Sequence, residues 1–141
     1  MNSLTGEYRH GVDAKGRFFM PSRLLKALGE PFYIFKGSSQ YLCVYNQEQW
    51  DKLRENLSEL PKSQSRDLRR NLYSTAQDCV ADSQGRVMLS PALREHAKID
   101  KNIAIIGAGD YAEIWNDAAW EEECRKFGET PMETAMDLLG L

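Results

Sequence analysis

Asp13-Ala14-Lys15-Gly16-Arg17-Phe18-Phe19-Met20-Pro21 returns, at an offset of 69, as Asp82-Ser83-Gln84-Gly85-Arg86-Val87-Met88-Leu89-Ser90-Pro91. Each stretch reads Asp-x-x-Gly-Arg, then three apolar residues, then a nearby proline. Further along, Gly37, Tyr41, Val44, Tyr45, Asn46 and Trp50 correspond to Gly107, Tyr111, Ile114, Trp115, Asn116 and Trp120 at an offset of 70. One short match arises easily by chance, but a second run of aligned positions ending in Asn-x-x-x-Trp does not. The chain therefore reads as two copies of one unit, residues 5–60 and 75–127, expected to form one pseudo-two-fold domain together. Residues 128–141 read as a C-terminal tail.

Within each copy Asp-x-x-Gly is a turn signature, because Asp can bond its own backbone and Gly takes the conformation that other residues resist. A β-hairpin is expected around each turn, with arms over 7–12 and 17–20 in the first copy and 79–81 and 86–89 in the second. Pro21 and Pro91 suit the first turn of short helices carrying Leu24, Leu25 and Leu28, and Leu93 and Ala97. Gly29 ends the first. Short strands follow at 32–35 with 41–45, and at 103–106 with 112–115. Asn46 and Asn116 read as helix N-caps. Trp50, Leu53, Leu57 and Leu60 recur at spacings of 3 and 4, an apolar helical stripe, with Trp120, Cys124 and Phe127 as its second-copy counterpart. The stretch 61–65 reads as a helix break, after which Leu68 and Leu72 face one way and Arg66, Arg69 and Arg70 present a basic surface. Thr130-Pro131-Met132-Glu133 resembles a capping box opening a last helix through Met136 and Leu139.

At 141 residues, with 42% hydrophobic and 28% charged, the composition is that of a soluble globular chain of one modest domain. No apolar run approaches the ~18 residues of a membrane span. The opening residues 1–7 lack the basic and apolar regions of a signal peptide, so a cytoplasmic protein is expected. Net charge is −3, but residues 1–99 hold 15 Lys and Arg against 11 Asp and Glu, while residues 100–141 hold 3 against 10. A basic body with an acidic end can still bind a polyanion through one face, because a partner responds to the local field.

No Gly-rich phosphate loop, nucleophile elbow or His pair at metal spacing is present, so neither an enzyme nor a cofactor is expected. Cys43, Cys79 and Cys124 lie far apart with no C-x-x-C pair, and His10 and His96 are the only histidines, which leaves no disulfide framework and no metal site. Glu121, Glu122 and Glu123 are consecutive, so they point to different sides of a helix and read as a solvated face. The doubled turn carries the chemistry. Lys15 and Arg17 at one tip, and Gln84 and Arg86 at the other, can reach base edges or phosphates from a rigid turn. Equally, Arg17 and Arg86 can pair with Asp13 and Asp82 and brace the turns, leaving Gly16 and Gly85 as purely structural positions. Arg9 reads as a weaker phosphate contact.

Gly6-Glu7-Tyr8, followed by Asp13-Ala14-Lys15-Gly16-Arg17 and then Asp82-Ser83-Gln84-Gly85-Arg86, resembles the bacterial MraZ family across residues 5–127. One copy alone would resemble only the broader AbrB-like superfamily. The resemblance implies an α+β, mainly β fold: a double-split, swapped-hairpin β-barrel with short flanking helices, whose copies pair within one chain as two chains do in AbrB-like dimers. It also implies a ring-shaped homo-oligomer and a nucleoid-associated transcriptional regulator, usually a repressor. The implied partner is double-stranded DNA carrying short G-rich direct repeats upstream of the regulator's own gene, which opens the division and cell-wall cluster. The family's Asp-x-x-x-Arg positions fall on Asp13, Arg17, Asp82 and Arg86. This chain departs from the pattern with Ser90-Pro91, where the family more often places proline at the Ser90 position, and with Gln84 opposite Lys15, so the first hairpin is expected to contact DNA more strongly. The competing expectation is an oligomeric scaffold that engages a protein partner through the acidic region 100–141.

Overall fold

A computed structural model describes residues 3–128 and 132–140. The first copy runs β1 (Glu7–Gly11), β2 (Arg17–Phe19), α1 (Ser22–Leu28), β3 (Phe32–Lys36), β4 (Leu42–Tyr45) and α2 (Gln47–Ser58). After α3 (Lys62–Thr75) the same order returns as β5 (Gln77–Cys79), β6 (Arg86–Met88), α4 (Pro91–His96), β7 (Asn102–Gly107), β8 (Ala112–Asn116) and α5 (Asp117–Phe127), and α6 (Met132–Leu139) closes the described chain. The result is mixed helix and strand built on antiparallel sheet.

The pairing differs from a pair of self-contained hairpins. Beyond the turn itself, the arms around each Asp-x-x-Gly do not ladder with one another: β1 pairs β7, β5 pairs β3, and β2 pairs β6, all antiparallel and all between copies. A backbone strand buried on one face must find partners for its N–H and C=O groups, and here each copy finds them in the other. The strands form a six-stranded sheet in the order β1-β7-β8-β4-β3-β5 and a separate β2-β6 ribbon, with no closed barrel among the described residues. Exchanging the copies leaves the order unchanged.

The expected arm at 79–81 moves to Gln77–Cys79, because Cys79 sits opposite Phe32 in the β3 ladder while Val80 and Ala81 lead into the tip. The break expected over 61–65 narrows to residues 59–61, since Pro61 caps α3 and Lys62 to Ser65 are already helical. Leu72 is buried, but Leu68 is half-exposed, so the two do not share a buried face. Arg69 also leaves the expected basic surface: its guanidinium turns inward, donating to Ser65 Oγ at 2.9 Å and to the Leu57 carbonyl at 2.8 Å, and so joins α3 to α2. Leu60, expected on the α2 stripe, is exposed beyond the helix end. Asn46 and Asn116 cap α2 and α5 by accepting from the N–H of Gln49 and Ala119, as expected. The Thr130-Pro131 part of the expected capping box lies outside the described residues.

Strand alternation divides the interior into two sides. On one side Phe32, Ile34, Leu42, Val44, Ile103, Ile105 and Ile114 meet Phe18 and Val87 of the ribbon and Leu24 and Leu93 of α1 and α4, forming the main core. On the other, Phe35 and Cys43 pack on Trp50, Leu57 and Leu72, while Ala104, Ile106 and Trp115 pack on Trp120. The sheet is thus a middle layer, with the ribbon and short helices in front and α2, α3 and α5 behind.

This packing separates two leucine or isoleucine positions that the sequence treats alike. Ile114→Ala, in the main core at 0% exposure, is expected to cost about 2–5 kcal/mol in urea denaturation. Leu68→Ala, at 51% exposure, should stay within about 0.5 kcal/mol of wild type. Similar losses at both sites would contradict the layer assignment.

Candidate nucleic-acid interface

Both tips are built by the same local hydrogen bonds. Asp13 Oδ1 accepts from the backbone N–H of Lys15 at 2.9 Å and of Arg17 at 2.8 Å, and Oδ2 accepts from Arg17 Nε at 2.7 Å. In the second copy Asp82 Oδ1 accepts from Gln84 and Arg86 N–H at 2.9 and 2.8 Å, and Oδ2 from Arg86 Nε at 3.0 Å. Gly16 and Gly85 both take φ +82, left-handed backbone that other residues adopt only under strain. The bracing role that the sequence left open for Arg17 and Arg86 is therefore realised in both copies.

Bracing does not consume the guanidinium groups. Each arginine uses Nε on its own aspartate, and its terminal nitrogens make no hydrogen bond to the described residues. Lys15 and Gln84 are exposed at the tips, and among the described residues neither side chain makes a hydrogen bond. The ribbon register, Arg17 opposite Met88 and Phe19 opposite Arg86, puts these four side chains on one outward face, while Phe18 and Val87 point into the core. The structure thus gathers the basic ends of both copies on one ribbon. Phe19 and Met88, 51% and 56% exposed, were not singled out in the sequence; their alternation with Phe18 and Val87 is the signal that places them there.

Arg9 lies elsewhere. From β1, on the far side of the sheet from the ribbon, it reaches Glu7 Oε2 at 3.0 Å through Nε and Glu121 Oε1 at 2.7 Å through Nη2. Glu7 also accepts from Trp120 Nε1 at 2.6 Å, and this bond is the main reason its carboxyl sits below the ordinary range. Arg9 therefore ties β1 to α5. The neighbouring acids are also engaged, Glu122 by Arg125 and Glu123 by Lys126. The acidic helix and the basic ribbon are thus held on opposite sides of the middle sheet.

Cys43 and Cys79 are buried thiols, each pushed up to about 12 by burial, which leaves them protonated and unreactive at neutral pH. No cluster of His, Cys, Asp or Glu able to hold a metal ion occurs among the described residues. No described helix is long and apolar enough to cross a membrane.

The Asp13 and Asp82 carboxyls are held below their ordinary value of 3.8, chiefly by the backbone N–H of Arg17 and of Arg86. A depressed native pKa stabilises the fold fully well above the ordinary value and loses that contribution as pH falls through it towards the native one. Asp13→Asn with Asp82→Asn is therefore expected to lower the urea midpoint at pH 7, with the gap to wild type narrowing below about pH 5. A gap unchanged down to pH 3 would contradict this origin of tip stability.

Two further comparisons bear on the same residues. The family model described as "MraZ protein, putative antitoxin-like" matches this chain twice, over residues 3–71 and 72–138. A protein of Heliobacterium modesticaldum named "Transcriptional regulator MraZ" is 42% identical over 136 residues, 95% of each chain. One of the same name from Carboxydothermus hydrogenoformans is 41% identical over 121 residues, covering 84% of this chain and 85% of the relative. A third, from Desulfitobacterium hafniense strain Y51, is 38% identical over 138 residues, 96% of each. With both repeats matched and the likeness running nearly end to end, the chain belongs to the MraZ family.

Proposed function

We propose that this protein is a transcriptional regulator, usually acting as a repressor, that binds double-stranded DNA through the outward face of the β2-β6 ribbon. The observation that carries the reading is the pair of arginines, Arg17 and Arg86, each anchored by Nε to an aspartate with its terminal nitrogens turned to no other described group. An anchored guanidinium loses little freedom when it meets a base or phosphate, and its remaining fork matches guanine O6 and N7. A two-stranded ribbon also fits the major groove. Lys15 and Gln84 flank the pair at the tips, while Asp13, Gly16, Asp82 and Gly85 set the turn geometry. Arg9 ranks last, because two carboxylates already engage it.

The favoured target is a set of short G-rich direct repeats upstream of the regulator's own gene at the head of the division and cell-wall cluster, read in the cytoplasm at the nucleoid. Residues 5–60 and 75–127 act as one domain with an approximate two-fold axis, and its architecture is the double-split, swapped-hairpin barrel. The cross-copy pairing and a strand order that survives exchange of the copies support that reading. Self-association into a ring multiplies weak single contacts by effective concentration on spaced repeats. Exposed apolar residues at Phe127, Met132, Leu138 and Leu139 favour such association.

Fluorescence anisotropy on a duplex with G-rich direct repeats, against a scrambled duplex, should show repeat selectivity and affinity falling with salt at about −0.9 per phosphate contact. Arg17→Ala is expected to weaken repeat binding by about tenfold or more, and wild-type affinity in that variant would sink the reading. An intact protein with no repeat preference and no salt slope would instead favour a scaffold that binds protein. Light scattering after size exclusion should give a mass several times the 16.1 kDa of one chain. A monomer at micromolar concentration would rule out the ring.

A further inference from the structure

The two tips are made by equivalent bonds but supported unequally. Leu89 N–H donates to the Gly16 carbonyl at 2.9 Å, and Met20 N–H donates to the Gly85 carbonyl at 3.0 Å, the same cross-copy bond made twice. Beneath them the helices differ. At the repeat offset of 69, Arg94 of α4 occupies the place of Leu25 in α1. A Cβ built on Gly16 would stand 2.8 Å from Arg94 Nε and 2.9 Å from Cζ, so the guanidinium lies directly against the first turn. Nothing lies within 4 Å of the corresponding point on Gly85. Gly16 is buried and Gly85 only half-buried.

Arg94 is itself anchored. Its Nε donates to the Leu89 carbonyl at 3.1 Å, and Leu89 is the residue whose N–H holds Gly16. Helix α4, the end of β6 and the first tip therefore meet at one joint with a charged group inside it. Its terminal nitrogens have no hydrogen bond to the described residues. The first tip gathers Lys15, Arg17 and Arg94, whereas the second has Gln84 and Arg86 with nothing within 4 Å of a Cβ built on Gly85.

We propose, resting on the DNA-binding reading above, that Arg94 is a positioning residue for the first tip, and that it makes this tip the stronger of the two DNA grips. By packing on Gly16 it holds the turn in the conformation in which Lys15 and Arg17 meet the duplex, so less order remains to be acquired on binding. Its positive charge adds to the local field at the same place. The second tip lacks this support and binds more weakly for that reason as well as for carrying Gln84.

The test is a double-mutant cycle on the full-length oligomer, with Arg94→Leu, the residue the first repeat carries at this place as Leu25, combined with Arg17→Ala or Arg86→Ala. Anisotropy on the G-rich repeat duplex and the scrambled duplex is the readout, with thermal denaturation in parallel. Arg94→Leu is expected to weaken repeat binding about tenfold in the wild-type and Arg86→Ala backgrounds, and far less when Arg17 is already gone, because coupled residues do not add. Equal losses in both arginine backgrounds, or wild-type affinity in Arg94→Leu, overturn the proposal. Should Arg94→Leu fold poorly, Arg94→Lys enters the same cycle; it keeps the charge and loses the planar donor to Leu89, and the same coupling is expected. An Arg17→Ala protein that binds like wild type would overturn the DNA-binding reading itself, a result distinct from any outcome at Arg94.

Discussion

Each copy pairs two of its strands internally but leaves those flanking its tip without a partner of their own, and the fold follows from how these are satisfied. β1 and β5 flank the two Asp-x-x-Gly tips, yet each ladders with a strand of the opposite copy, and β2 finds its partner in β6. Backbone groups on a strand buried on one face must be paired, so neither copy can close its core alone. Cross-copy pairing also brings the tips together, because it joins the strands that leave them. The ribbon exists only as a joint product of the two repeats.

From that pairing the charge layout follows. With Phe18 and Val87 committed to the core, Arg17, Arg86, Phe19 and Met88 must face outward. The opposite side of the main sheet receives α2, α3 and α5, and with α5 come the acids that dominate the end of the sequence. Summed over the chain these charges nearly cancel. At the ribbon Arg17 and Arg86 are paired with Asp13 and Asp82, while Glu7, Glu121, Glu122 and Glu123 are occupied across the sheet by Arg9, Arg125 and Lys126.

Bracing and binding are not rival roles for the tip arginines. An arginine has one Nε and two terminal nitrogens, and here the aspartate takes the first and leaves the others. The residue is thereby part of the turn while its terminal nitrogens keep no partner among the described residues. Arg69 shows the contrary case: Nε and Nη2 both turn inward to oxygens of α3 and α2 and join the two helices. A run of arginines in a sequence does not distinguish these fates, because the difference lies in which acceptors the fold places within reach.

The duplication, the turn chemistry at Asp13 and Asp82 and the caps at Asn46 and Asn116 were all readable from order and spacing, since these depend on neighbours a few positions away. Two features also left a trace that tertiary structure alone could interpret: Arg94 stands where the repeat calls for an apolar residue like Leu25, and Phe19 and Met88 alternate with buried partners. Pairing within a copy, 32–35 with 41–45 and 103–106 with 112–115, was readable, whereas pairing between the copies followed from no residue pattern and was only implied by the family resemblance. A strand's hydrogen bonds carry no side-chain label, so nothing in Glu7–Gly11 itself favours Asn102–Ile106 over its own hairpin arm, and burial of Ile34, Ile105 and Ile114 in one shared core selects the exchange. The sequence by itself determined two units and their local turns; the tertiary structure decided that the strands cross between them, because only the joined copies bury a complete core.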